Sequence, residues 1–117
     1  MEKEFIPYEQ ALALKELGFD EPCFGLYHYD TTFYPTQCKS HEQFYGQICL
    51  APLYQQAFRW FREKYNLFGQ VNIHTYFIYN ISNDGFEMIK QYDKLTNTYE
   101  EAELACLIKL IEIVKSK

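Results

Sequence analysis

Apolar positions recur every three to four residues along PLYQQAFRWFREKY, residues Pro52–Tyr65. At about 100° per residue, Leu53, Tyr54, Ala57, Phe58, Trp60, Phe61 and Tyr65 share one broad arc. Gln55, Gln56, Arg59, Arg62 and Glu63 fill the other side. The pattern predicts an amphipathic helix. Pro52 suits its first position, where a missing N–H costs nothing and the fixed φ is already helical. Burying the aromatic arc stabilises by roughly 1.5–3 kcal/mol per large side chain, before ordering entropy is counted. A sheet is expected to cover that face.

Two further stretches read as helices. PYEQALALKEL, Pro7–Leu17, opens on a proline and runs into Gly18, which suits a left-handed ending. Phe19 is placed to lie against Leu14, as in a Schellman ending. Thr98–Lys115 opens on a capping box, Thr98 with Glu101. Its apolar positions, from Ala102 and Leu104 through Ile113 and Val114, cover about 240° of the circumference, more than one sheet face can hide.

Alternation marks the strands. Val71–Ile81, VNIHTYFIYNI, alternates throughout. Ser82-Asn83-Asp84-Gly85 supplies a tight turn, and Phe86–Tyr92 returns as the antiparallel partner. Asn66 and Gly69 are expected to close the preceding helix. Cys23–Tyr29 reads as a short strand after the break at Asp20-Glu21-Pro22. Asp30–Ala51 is the least regular stretch, with Phe33-Tyr34 and Gln47–Leu50 as short extended pieces. These elements predict an α+β fold in a single domain, residues 1–117. It is a two-layer sandwich: a small antiparallel sheet, hairpin 71–92 plus strand 23–29, covered by three helices at 7–17, 52–65 and 98–115.

Composition narrows the function classes. The chain has 117 residues, 48% of them apolar, which argues against disorder. Eleven Tyr and ten Phe predict rings at the rim of the core or at an interface. No apolar run approaches the ~18 residues of a membrane span, and MEKEFIPYEQ lacks the apolar core of a secretory signal. A cytoplasmic setting is the expectation. The net charge is −5. Residues 1–58 hold three basic groups against eight acids, and residues 59–117 hold eight against eight. Binding to a nucleic-acid backbone needs a cluster of Lys and Arg, so nucleic acid is disfavoured.

Four groups of residues contain side-chain types that could carry chemistry. His28, Cys38, His41 and Cys49 contain the ligand types of a zinc site, but their spacing is irregular. The alternative is reduced, buried thiols and core or strand histidines. Cys38 and His41, three apart, contain the types of a thiolate–imidazole pair, without a nucleophile elbow or glycine-rich oxyanion loop around them. Ser40, Ser82 and Ser116 have no catalytic setting. Glu100, Glu101 and Glu103 sit where a helix dipole favours acids, and Asp84 reads as turn chemistry. Arg59, Arg62 and Lys64 beside Trp60 offer the only basic helix face, and a solvated surface is its simpler meaning. No residue is assigned a catalytic, cofactor-binding or metal role, and no enzymatic activity is expected.

Three stretches, LKELGFDEPCFG at 14–25, APLYQQAFRWFREKY at 51–65 and TYEEAELACLIKLIEIV at 98–114, resemble a family of small uncharacterised proteins. These are encoded by prophages and mobile elements of Bacteroides-type gut bacteria. The resemblance implies an intracellular accessory role in phage or host biology and carries over no site residue. Together with the wide apolar arc of 98–115, it leads to a non-enzymatic interaction protein. The expected state is a homo-oligomer, a dimer through the 98–115 helix, with a host or phage protein as a further partner. The alternative is a small nucleic-acid-binding module using the Arg59/Arg62 helix face.

Overall fold

The structure is a computed structural model describing residues 4–41, 48–82, 85–91 and 96–116. In order, the elements are α1 (Tyr8–Glu16), β1 (Leu26–His28), β2 (Phe33–Tyr34), β3 (Ile48–Leu50), α2 (Tyr54–Tyr65), β4 (Leu67–Val71), β5 (Tyr76–Ser82), β6 (Gly85–Gln91) and α3 (Tyr99–Lys115). The fold is α+β, with three helices and two three-stranded antiparallel sheets among the described residues. The chain divides into two compact units, Met1–Gln56 and Ala57–Lys117, with the division inside α2.

In the first unit the sheet order is β2-β1-β3. Leu26 pairs with Tyr34 on one side and Leu50 on the other. The predicted strand at 23–29 is therefore real over Leu26–His28, but its partners are the two short extended pieces of the irregular stretch. It does not join the 71–92 hairpin, because β1 already carries a neighbour on each edge. Tyr29-Asp30-Thr31 turns the chain from β1 into β2. His28 N–H donates to Thr32 O at 2.9 Å, Thr31 N–H to His28 O at 2.8 Å, and Thr32 N–H to Asp30 Oδ1 at 3.0 Å. Thr31 takes φ 74° to close this loop. Helix α1 packs against β3 and ends as a Schellman motif. Gly18 sits at φ 101°, Phe19 N–H donates to Leu14 O at 2.9 Å, and Gly18 N–H to Lys15 O at 3.1 Å.

Aromatic rings fill much of this unit. Phe5 and Phe33 lie 4.9 Å apart, Tyr27 and Phe33 5.3 Å, and Tyr8 meets Tyr27 edge-on at 5.5 Å. The buried Tyr27 hydroxyl donates to Ile6 O at 2.8 Å, which satisfies its polar tip. Pro52 lies just before α2 rather than within it. Its carbonyl accepts from Ile6 N–H at 3.0 Å, and Leu53 bridges Phe5, so this stretch is held extended until Tyr54. The predicted arc of α2 is otherwise as expected: Tyr54, Ala57, Phe58, Trp60 and Phe61 are buried, while Gln55, Arg59, Arg62 and Glu63 are exposed.

In the second unit the order is β4-β5-β6. The continuous strand predicted over Val71–Ile81 is interrupted at Asn72–Thr75, where Asn72 N–H donates to Thr75 O at 2.8 Å. Two strands result and pair with each other, Gly69 opposite Ile78 and Val71 opposite Tyr76. Alternation survives the turn, which is why it reads as one strand in sequence. Gly69 thus belongs to β4, and Asn66 alone closes α2, at φ 58°. The hairpin β5–β6 forms with Ser82 opposite Gly85; the Asn83-Asp84 turn predicted between them, and Tyr92, lie outside the described residues.

Helix α3 packs on β4 and β5. Thr98 caps it, accepting from Glu101 N–H at 3.1 Å. The Glu101 carboxylate accepts from Asn97 N–H at 3.0 Å, one residue before the partner a regular capping box uses. The helix approaches the sheet at Gly69. A Cβ there would stand 2.9 Å from Cys106 Sγ and 3.3 Å from Leu110 Cδ1. Ala102, Cys106, Leu107, Leu110, Ile111 and Val114 are buried, which leaves Tyr99 and Ile108 as the exposed apolar residues of this helix. Gly69→Ala is expected to destabilise the protein by about 1–3 kcal/mol through overpacking. Adding Cys106→Ala should recover part of that loss, read as the urea midpoint of both variants.

Candidate functional site

The buried polar centre of the first unit is His41. Its backbone N–H donates to Asp20 Oδ1 at 3.0 Å, and Ser40 Oγ donates to Asp20 Oδ2 at 3.3 Å. Its ring nitrogens both meet backbone groups. Leu50 N–H donates to Nδ1 at 3.1 Å, so Nδ1 carries the lone pair, and Nε2–H donates to Phe19 O. One side chain thus ties the end of α1 to β3. Asp20, which reads as part of a chain break, holds the other side of the knot.

This geometry separates the sequence candidates. His41 spends both ring nitrogens on backbone, Cys38 Sγ donates to Ser40 O at 3.4 Å, and Cys49 Sγ to Leu50 O at 3.7 Å. His28 lies 3.6 Å from Asp30 and against the Tyr29 ring. Among the described residues no three His, Cys, Asp or Glu side chains are grouped to hold a metal. Cys38 and His41 are not aligned as a thiolate–imidazole pair. The other thiols are held in the neutral form. Burial pushes Cys23 up to about 12, helped by Glu21, and burial pushes Cys49 to about 11 and Cys106 to about 12.

The basic face of α2 is partly neutralised. Arg59 Nε lies 3.8 Å from Glu63, and Lys64 Nζ sits over the Trp60 ring at 5.0 Å. The Glu100–Glu101–Glu103 group is the first turn of α3 and its cap. Burial pushes the Glu103 carboxyl above the usual carboxylate range, and Glu100 adds to the shift. Asp84 lies outside the described residues.

A partly exposed apolar surface in the second unit was not marked by any motif. Gly69 and Ile78 face α3, so alternation puts Phe68, Phe77 and Tyr79 on the opposite side of the sheet. Phe68 is opposite Tyr79, and Tyr79 is opposite Met88, so one apolar row crosses all three strands. The Phe77 and Tyr79 rings stack at 6.3 Å. Met88 is 50% exposed, Ile89 39% and Ile73, at the β4–β5 turn, 69%. Strand β6 is one edge of this sheet. A bulge shifts its register, since Ile78 pairs with Lys90 and Tyr79 with Met88, so Ile89 is the extra residue. Glu87, opposite Asn80, and Lys90, opposite Ile78, therefore share the α3 side of the sheet although three residues apart. Period-two reading of FEMIKQY puts them on opposite sides, so only pairing partners reveal the arrangement.

Among the described residues no helix is long and apolar enough to cross a membrane. Comparison with protein-family models gives no match, and neither curated proteins nor solved structures give one.

His41→Ala is expected to cost about 2–5 kcal/mol, because it leaves the Leu50 N–H and Phe19 C=O without their ring partner. A urea titration checks it. Glu103 carries the opposite pH signature to a salt-bridged acid. Its raised folded value means the folded state is favoured while the group is protonated, and that advantage is lost as pH rises through the folded value. Glu103→Gln should raise stability at pH 7 by about 0.2–0.5 kcal/mol after solvent screening. The gain should vanish below about pH 4, measured as paired thermal melts.

Proposed function

We propose that this protein acts by protein–protein contact rather than by catalysis, and that its first partner is a second copy of itself, joined edge to edge through β6. The observation that carries this reading is the charge order on an edge strand. Glu87 and Lys90 bracket Met88 and Ile89, on the same side of the sheet. A second β6 laid antiparallel, with the two-fold axis between Met88 and Ile89, sets Glu87 of each chain across from Lys90 of the other. Opposite charges directly across a strand pair are favourable, by roughly 0.2–1 kcal/mol each. A contact that uses the same patch twice is closed and stops at two chains.

Met88 and Ile89 would leave water in that contact, and the row Phe68, Tyr79, Met88 would continue across the joint into the second chain. The expected seat on α3 has less support, because its exposed apolar side chains are Tyr99 and Ile108, the latter beside the Lys109–Glu112 ion pair. An accessory role in phage or mobile-element biology and a cytoplasmic setting remain part of the proposal; both rest on the resemblance of residues 14–25, 51–65 and 98–114. Their support is independent of the β6 contact.

A charge swap tests the contact. Light scattering coupled to size exclusion should return twice the chain mass for the wild type. Glu87→Lys, which sets Lys against Lys twice, should give monomer, and Glu87→Lys with Lys90→Glu should restore the dimer. A monomeric wild type, or dissociation by Ile108→Lys and not by Glu87→Lys, rejects the β6 assignment.

A further inference from the structure

Cys23 and Cys38 face each other as an isolated antiparallel bridge. Cys23 N–H donates to Cys38 O at 2.8 Å, and Cys38 N–H to Cys23 O at 2.9 Å. A reciprocally bonded antiparallel pair has Cα atoms about 5.5 Å apart. That falls in the ~4.4–6.8 Å range that a disulfide spans. Directly opposed residues also point to the same side of the pair. The two thiols are not joined in this structure: Cys23 Sγ donates to Glu21 O at 3.3 Å and Cys38 Sγ to Ser40 O at 3.4 Å.

We propose that Cys23 and Cys38 are a modification site, a dithiol that closes to a disulfide when a glutathione-type disulfide oxidant reaches it. Rotation of both side chains about Cα–Cβ brings the sulfurs together without breaking the backbone bridge. Access comes from the Cys38 side. Tyr34, Pro35, Thr36, Gln37 and Lys39 are all exposed around a cysteine that is 1% exposed. Solvent-facing segments of this kind open locally at lower cost than the core. On opening, one thiol loses its proton and attacks the oxidant, forming a mixed disulfide and releasing one glutathione thiolate. The second cysteine, as thiolate, then attacks the protein sulfur of that mixed disulfide and releases the other. The two protons go to the two glutathiones, so two protein thiols and one oxidised glutathione become one protein disulfide and two reduced glutathiones.

Closure ties off the segment that contains β1, the Tyr29-Asp30-Thr31 turn and β2. It constrains the unfolded chain and raises the melting temperature of the oxidised form. Cys49 is the internal competitor: it lies on β3 opposite Tyr27, not in register with either thiol.

The test uses the full chain incubated with oxidised glutathione, then digested without reductant and read by mass spectrometry. The expected product is a Cys23–Cys38 linked peptide lacking two hydrogens. It should be abolished by dithiothreitol and accompanied by a melting temperature about 5–10 °C higher. Cys49→Ser with Cys106→Ser should leave the product unchanged, and Cys23→Ser should trap glutathione on Cys38 instead. A Cys23–Cys49 link, or stable glutathionylation of both cysteines in the wild type, overturns the proposal. So does an absence of the linked peptide after incubation in urea concentrations that open the segment.

Discussion

The seat of α3 on β4 depends on an absent side chain. At Gly69 the helix comes so close that a methyl group would meet Cys106 sulfur inside van der Waals contact. The packing of α3 on this sheet follows from that approach. It brings the buried arc of α3 against Leu67 and Ile78, the residues that alternate onto the same side as Gly69. It leaves Phe68, Phe77 and Tyr79 on the far side. A larger residue at position 69 would lift the helix and thin the dispersion contacts that a close-packed interior relies on. The apolar row proposed as part of a contact is thus the reverse side of the packing that holds the unit together.

The first unit solves a different problem. Its strands are two or three residues long, too short to hold register by themselves. Polar and aromatic side chains complete the pairing of the backbone. His41 bonds Leu50 and Phe19, Tyr27 bonds Ile6, and Asp20 takes the N–H of His41. The residues that look chemical in sequence are consumed in this work. Both His41 ring nitrogens are committed to backbone groups, and burial pushes the Cys49 thiol up to about 11, which keeps it protonated at neutral pH. What remains available in this unit is the Cys23–Cys38 pair, whose geometry comes from the same bridge that ties its segment down.

Helix ends were the most legible features. Gly18 and Phe19 close α1 with the bonds their order implies, and Thr98 caps α3 through Glu101. The α2 arc is buried where the period puts it. Strand partners were much less legible. Val71–Ile81 reads as one strand because the interruption at Asn72–Thr75 preserves alternation, and no glycine or proline marks it. Gly69 reads as a helix ending because a glycine just past a helix usually is one. The bulge at Ile89 is silent in sequence, yet it decides that Glu87 and Lys90 share a side.

The chain alone determined the α+β class, the three helices, the ending of α1, the cap of α3 and the β5–β6 hairpin, because those depend on residues within a few positions of one another. Tertiary structure decided which strands pair, and so why 23–29 and 71–92 lie in separate sheets. It also decided that His41 is structural and that Cys23 meets Cys38. The reason is distance along the chain. Periodicity and capping act through neighbouring residues, whereas a two- or three-residue strand carries too little pattern to name a partner many residues away.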